Sequence, residues 1–195
     1  MQTVFMQTLF LLMVIAYVAG AVAALVSGGP LRRWLPAAGA MVGALAGIGL
    51  SAAVLAGTTP FTSVWPQILP LAGGMAFRLD RLGAFFLLLI GVGAAPAALY
   101  GVGYTASYTD GRASLRRVGL LFNLFLLSMS IVTLASNVLT FLFVWEGMSL
   151  TSYLLVLTEA NVGEERKAII HAGLWYAAMT HIGLALLMAA FFLLA

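Results

Sequence analysis

The sequence predicts an all-α, polytopic membrane protein with six transmembrane helices, and three observations carry that prediction. Of the 195 residues, 63% are hydrophobic and 8% are charged, and the mean hydropathy of +1.10 exceeds what a water-soluble domain of this size tolerates. Six apolar blocks each reach the roughly 20 residues that a helix needs to cross a bilayer core. The charges fall between the blocks, with Glu146 the exception. Nine Lys plus Arg stand against six Asp plus Glu, a formal net charge of +3. Charges spread in this way exclude nucleic acid as a partner and point to the lipid bilayer, so the pI of about 9.6 reflects membrane topology. The chain has no cysteine, which excludes disulfides, cysteine-ligated zinc and thiolate-held iron–sulfur clusters within it and leaves redox chemistry to other subunits.

The first block, residues 3–27, starts MQTVFMQ without a positive n-region and is too long for a signal-peptide core, so it reads as a retained helix. The second, 35–57, carries Gly39, Gly43, Gly47 and Ser51 at four-residue spacing, a small-residue stripe that lets another helix approach closely. Residues 58–80, TTPFTSVWPQILPLAGGMAFRLD, are rich in Pro and Gly and read as an external loop with short extended pieces. Asp80 is placed to cap the third helix, 82–103, where Pro96 removes a backbone hydrogen bond and predicts a kink. Only Ser136 and Asn137 separate the fourth block, 118–136, from the fifth, 138–157, which predicts a tight hairpin. An inner polar connection with Glu159, Glu164, Glu165, Arg166 and Lys167 leads to the sixth block, 168–194. The six blocks show no internal repeat and leave no room for a soluble domain. The G-V-G pieces at 91 and 101 lack the third glycine of a dinucleotide fingerprint, and neither H-E-x-x-H nor G-x-S-x-G is present, so covalent catalysis has no candidate residues.

Glu146 lies in FLFVWEGMSLTSYLLVL, residues 141–157. A charged side chain at the centre of a membrane helix costs about 2.5–3.5 kcal/mol even on insertion scales, so such a residue is either satisfied by a partner or kept for a purpose. At a rise of about 1.5 Å per residue, Glu146 is roughly 13 Å from the outer end of its helix, and His181 of the sixth helix roughly 9 Å below the outer surface, within about one helical turn of the same depth. The two helices are antiparallel neighbours, and one rotation of each brings the pair together. Ser149 and Tyr153 share the face of Glu146, while Tyr176 and Thr180 flank His181. Desolvation disfavours charged carboxylates in general, and a carboxyl that gives and takes a proton is what a relay requires. The same pattern fits a protonated interhelical hydrogen-bond donor and a packing histidine. His171, near Arg166 and Lys167, reads as interfacial.

The run FVWEGMSLTSYLLVL, together with FRLDRLGAFFLLLIGVGAAPAALYGVGY before it, resembles the antiporter-like membrane subunits of the complex I and membrane-bound hydrogenase superfamily. The residues that carry the resemblance are Trp145, Glu146, Ser152 and Tyr153 in the fifth helix, and Asp80, Leu82, Ala84 and Phe86 opening the third. The form of the third helix and the segment YAAMTHIG are most similar to the hydrogenase-4 component B and formate hydrogenlyase membrane subunit branch; NADH-quinone dehydrogenase and Mrp-type cation/proton antiporter subunits are close cousins.

The resemblance implies the front portion of the family's fold, which has about fourteen helices built on two inverted five-helix repeats. Residues 1–117 then form an N-terminal three-helix region with the external loop 58–80. Residues 118–195 form the first three helices of an incomplete first repeat. It implies that Glu146 pairs with a lysine on a following helix, supplied by a longer reading frame or by a partner chain, because Lys167, the only lysine here, lies in the inner loop. The implied function is a contribution of Glu146, with His181 as a relay, to proton translocation in a hydrogenase or NADH-quinone oxidoreductase-type complex. Such a chain is a non-catalytic subunit without cofactors of its own. The iron–sulfur clusters and the nickel–iron or flavin site belong to hydrophilic partner subunits. The alternatives are a non-translocating scaffold of such a complex and a cation/proton antiporter component. The location implied is a prokaryotic inner membrane. Arg32, Arg33, Arg112, Arg116, Arg117, Arg166 and Lys167 fall on one side, against Arg78 and Arg81 on the other, which places the N-terminus outside. Single cysteines at Ser63 and Ser114 of this cysteine-free chain are expected to label from opposite sides, Ser63 from outside; labelling of Ser114 by an impermeant reagent in intact cells overturns that orientation.

Overall fold

Inside hydrocarbon a backbone segment satisfies its N–H and C=O groups by coiling into a helix, and each apolar block does so. The computed structural model describes residues 2–57, 59–68, 73–105, 115–158 and 166–194. Among them are helices α1 (Gln2–Val26), α2 (Leu31–Ala56), α3 (Arg81–Tyr104), α4 (Leu115–Val132), α5 (Val138–Thr158) and α6 (Arg166–Leu194), with strands β1 (Phe61–Trp65) and β2 (Met75–Leu79) between α2 and α3. All six helices are long and apolar enough to cross a membrane.

The small-residue stripe of α2 faces α1. A Cβ on Gly39 would stand 2.5 Å from Gly20 Cα, and one on Gly43 2.7 Å from the Tyr17 ring, so the two backbones meet where side chains are absent. On the other flank of Gly20, a Cβ would overlap Asn123 Oδ1 of α4. Asn123 is fully buried and its Nδ2 donates to Pro36 O at 3.1 Å and Gly119 O at 2.9 Å, which ties α4 to α2. Phe10, Tyr17, Leu50, Leu87, Leu126 and Ile131 belong to one hydrophobic core drawn from α1 to α4, continuous across residue 117. α5 packs on α4, and α6 on α5.

Among the described residues of 58–80, the expected extended pieces form a hairpin. β1 and β2 pair antiparallel from Phe61↔Leu79 to Trp65↔Met75, and Gly73 and Gly74, at φ 75° and 93°, supply the left-handed backbone that leads into β2. Phe61, Trp65 and Phe77 close around Phe10 with ring centroids 5.1, 5.5 and 5.4 Å from it. The far edge of β2 is also paired: Arg78 N–H donates to Leu134 O at 2.7 Å, and Ser136 N–H to Ala76 O at 3.0 Å. That pairing corrects the expected tight α4–α5 hairpin. α4 stops at Val132 and residues 133–137 run as a connector, in which Leu134 O and Ser136 N–H are held by β2.

Asp80 caps α3 as expected, its Oδ1 accepting from Gly83 N–H at 2.8 Å. Pro96 lies inside α3, which is one helix from Arg81 to Tyr104. Glu159, Glu164, Glu165, Arg112 and Ser114 lie outside the described residues.

Gly39→Val is expected to lower the thermal unfolding midpoint of the detergent-solubilised protein, because the added methyls meet α1 backbone that cannot yield and overpacking costs about 1–3 kcal/mol. Gly47→Ala should be near neutral, since its Cβ meets the flexible Met13 Sδ at 3.3 Å and Leu87 Cδ1 at an ordinary contact distance of 3.6 Å. Equal behaviour of the two variants would contradict this packing.

Candidate functional site

α5 begins at a built cap. Asn137 Oδ1 accepts from Thr140 N–H at 2.7 Å, and its Nδ2 donates to Gly74 O at 3.2 Å, so the start of the helix is fixed to the hairpin. Thr140, Val144 and Thr151 are buried, and Gly147 approaches Ser128 Oγ of α4. α6 crosses α5 closely at Gly173, where a Cβ would stand 3.0 Å from Leu157 Cδ2 and 3.3 Å from Tyr153 Cε2.

This crossing brings Glu146 and His181 into contact. His181 Nε2 is 3.0 Å from Glu146 Oε1, and the other ring nitrogen, Nδ1, is 2.8 Å from Ala177 O. A carbonyl only accepts, so the geometry assigns a hydrogen to Nδ1. The 3.0 Å contact then needs one proton between Nε2 and Oε1, carried either by the acid beside a neutral imidazole or by an imidazolium beside the carboxylate. Those two states differ only in which atom holds the proton, so the pair has the chemistry of a proton-exchange step.

The second carboxyl oxygen, Oε2, is buried and has no hydrogen-bond partner among the described residues; the neighbouring Trp145 Nε1 is in the same condition. Trp145 stacks on Phe141 at 5.6 Å, and Phe141 meets Phe191 of α6 edge-on at 5.9 Å. The His181 side chain is 60% exposed against 34% for Glu146, so the imidazole forms the rim of the pair and Oε2 its interior.

The supporting polar residues do not join the pair directly. Ser149 is buried one turn beyond Glu146 without a hydrogen bond to it. The Tyr153 ring lies against Gly173, and Tyr176 is half-buried. Thr180 Oγ1 donates to Ala177 O at 3.0 Å, so its hydroxyl is taken by its own helix. Helical spacing placed these residues near the site, but side-chain direction and backbone carbonyls decided their bonds. His171 accepts from Trp175 Nε1 at 3.2 Å and is separate from the pair. Among the described residues no three His, Cys, Asp or Glu gather to hold a metal ion. Asn123 is a buried polar residue that a search for ionisable groups misses; its signal is a single amide within the apolar run LLFNLFLL.

Comparison with known proteins agrees with this architecture. The chain is 39% identical over 152 residues, 76% of its length, to an uncharacterized protein of Mycobacterium tuberculosis, of which the match covers 22%. It is 32% identical over 120 residues to hydrogenase-4 component B of Escherichia coli, covering 62% of this chain and 17% of that protein. To NADH-quinone oxidoreductase subunit L of Mycobacterium tuberculosis it is 42% identical over 90 residues, 44% of this chain and 13% of that protein. The chain thus spans 22% or less of the length of these curated relatives. No family model matches it. The six apolar helices and these relatives make it a multi-pass membrane protein similar to antiporter-like subunits of that superfamily.

The contact itself is measurable. In a double-mutant cycle of Glu146→Gln and His181→Gln, read by thermal unfolding of the purified protein, a coupling of about 0.5–3 kcal/mol is expected for groups that touch. Additive effects would mean that the two side chains do not meet in the membrane.

Proposed function

We propose that this chain is part of a membrane subunit of a proton-translocating hydrogenase or NADH-quinone oxidoreductase-type complex, in which Glu146 and His181 form one proton-relay step. The observation that supports it best is the 3.0 Å contact between an intramembrane carboxyl and an imidazole whose far nitrogen is already bonded to a carbonyl. A proton taken up at Oε2 while the shared proton sits on Nε2 gives a neutral acid beside an imidazolium. Loss of a proton from the imidazolium then leaves the acid protonated on Oε2, and a half-turn of the carboxyl group returns that proton to the contact with Nε2. Passage through the site therefore needs rotation of the carboxyl group and no larger movement of either side chain.

Control of the relay comes from charge. A cation within about 4–6 Å favours the carboxylate and disfavours a neighbouring imidazolium, so its approach tends to expel the shared proton. The lysine implied by the family resemblance would supply such a cation from a segment beyond residues 1–195, whether in the same reading frame or on a partner chain. In this reading, residues 118–195 are the opening helices of the first repeat. Electron transfer takes place on hydrophilic partner subunits that hold the iron–sulfur and nickel–iron or flavin groups. The complex sits in a prokaryotic inner membrane with the N-terminus of this chain outside.

The test is the proton-to-electron ratio of membrane vesicles carrying the intact complex. Glu146→Gln keeps size and hydrogen bonding but loses the titrating group; it should leave assembly unchanged and reduce pumping about tenfold or more, in line with loss of a general acid–base group. Glu146→Asp should lose less, and His181→Ala should be milder because the titrating carboxyl is retained. Full pumping by the Gln variant would make Glu146 a structural hydrogen-bonding residue and the chain a scaffold.

A further inference from the structure

At the end of the bundle opposite the hairpin, α2 and α4 each begin with a Leu-Arg-Arg sequence, Leu31 to Arg33 and Leu115 to Arg117. Two cations in the first turn oppose the helix macrodipole, whose positive end lies there. No acidic residue in either first turn offsets them. Arg32 Nε makes one long bond of 3.4 Å to Ser27 O. Among the described residues no carboxylate reaches Arg32 or Arg33: Asp80 starts α3 at the opposite end, and Glu146 is held by His181. The first turn of α2 also lacks a side-chain cap, since Pro30 occupies that position. The N–H groups of Arg32 and Arg33 are taken by Gly29 O and Pro30 O, so it is the two half-buried guanidinium groups that favour an anion here.

Directly beside these arginines is a cavity of about 230 Å³ between α2, α3 and α4. Its walls beyond Arg32 and Arg33 are mainly apolar, including Ala37, Gly101, Val118 and Phe122. Apolar cavities of about 150 Å³ already take up benzene, so this one has room for a length of hydrocarbon chain. Exposed Trp34 and the stacked pair Tyr100 and Tyr104, with ring centroids 5.8 Å apart, stand at the same end. Such aromatic belts mark the depth at which headgroups give way to acyl chains.

We propose that this cleft is a binding site for an anionic glycerophospholipid, with the phosphate on Arg32 and Arg33 and part of one acyl chain in the cavity. The occupant is a lipid and not a free phosphate or a nucleotide because the space next to the cations is apolar and opens at interfacial depth. An acidic helix from a partner protein would meet the arginines but has no thin apolar chain to enter the cavity. The site is distinct from the Glu146 and His181 pair, and its existence does not depend on the relay.

The experiment is lipid retention by native mass spectrometry on the complex purified in mild detergent, with phosphatidylglycerol and phosphatidylcholine of identical acyl chains offered in competition. The native protein should retain phosphatidylglycerol in preference. Arg32→Gln with Arg33→Gln should lower that preference about tenfold or more, as expected for two cations near a lipid surface. Gly101→Leu keeps every charge; Gly101 lines the cavity and its Cβ position meets nothing within 4 Å, so the larger side chain clashes with no neighbour and should displace the lipid. Thermal unfolding reports that each variant is folded. Equal retention of the two lipids by the native protein overturns the proposal. So does unchanged retention by folded Gly101→Leu, which would reduce the effect to surface charge alone.

Discussion

Gly20 is where three helices converge. Gly39 of α2 reaches its Cα from one side and Asn123 of α4 from the other, and a methyl group on Gly20 would collide with the Asn123 amide. In a bilayer the solvent around a helix is as apolar as its side chains, so helix association depends on close packing and interhelical hydrogen bonds. Both are present here, because Asn123 bonds to Pro36 O across the same junction. The position of α4 sets that of α5, which packs on it, and α5 in turn receives α6. The geometry of Glu146 and His181 is therefore built on a glycine in a different helix pair.

Several hydroxyls within the bundle turn back on their own helices. Ser51, Thr151 and Thr180 donate their hydroxyls to carbonyls three or four residues back on their own helices, which takes those donors away from other helices; Ser130 does the same and also meets the Tyr17 hydroxyl of α1. The buried side-chain atoms without a partner among the described residues are Asn123 Oδ1, Trp145 Nε1 and Glu146 Oε2. The Asn123 oxygen is pressed against Gly20 and belongs to packing. The other two are on adjacent residues at mid-helix, where an unpaired polar atom is costly and points to chemistry.

The two ends of the bundle are built differently. At one end the hairpin β1–β2, its aromatic cluster on Phe10 and the hydrogen bonds from β2 to residues 134–140 fasten α1, α4 and α5 together. At the other end, cationic first turns flank an open apolar cleft. The fastened end fixes the start of α5 and hence the height of Glu146.

The sequence alone determined the class of the protein and the depth of its polar residues. Six apolar runs specify six helices, and a rise of about 1.5 Å per residue converts position along a run into depth, which was enough to put Glu146 and His181 at one level. It also marked the α2 stripe and the Asp80 cap, because both depend on local spacing. Tertiary structure decided rotation about each helix axis. Rotation turns Glu146 toward His181, leaves Ser149 and Tyr153 out of bonding reach, and puts Asn123 against Gly20. It also made a hairpin of a Pro- and Gly-rich loop, because the partners of β2 include residues 134–136, more than fifty positions away in the chain. Depth is a one-dimensional property written along the chain; facing is a property of pairs of helices, and it exists only once both are packed.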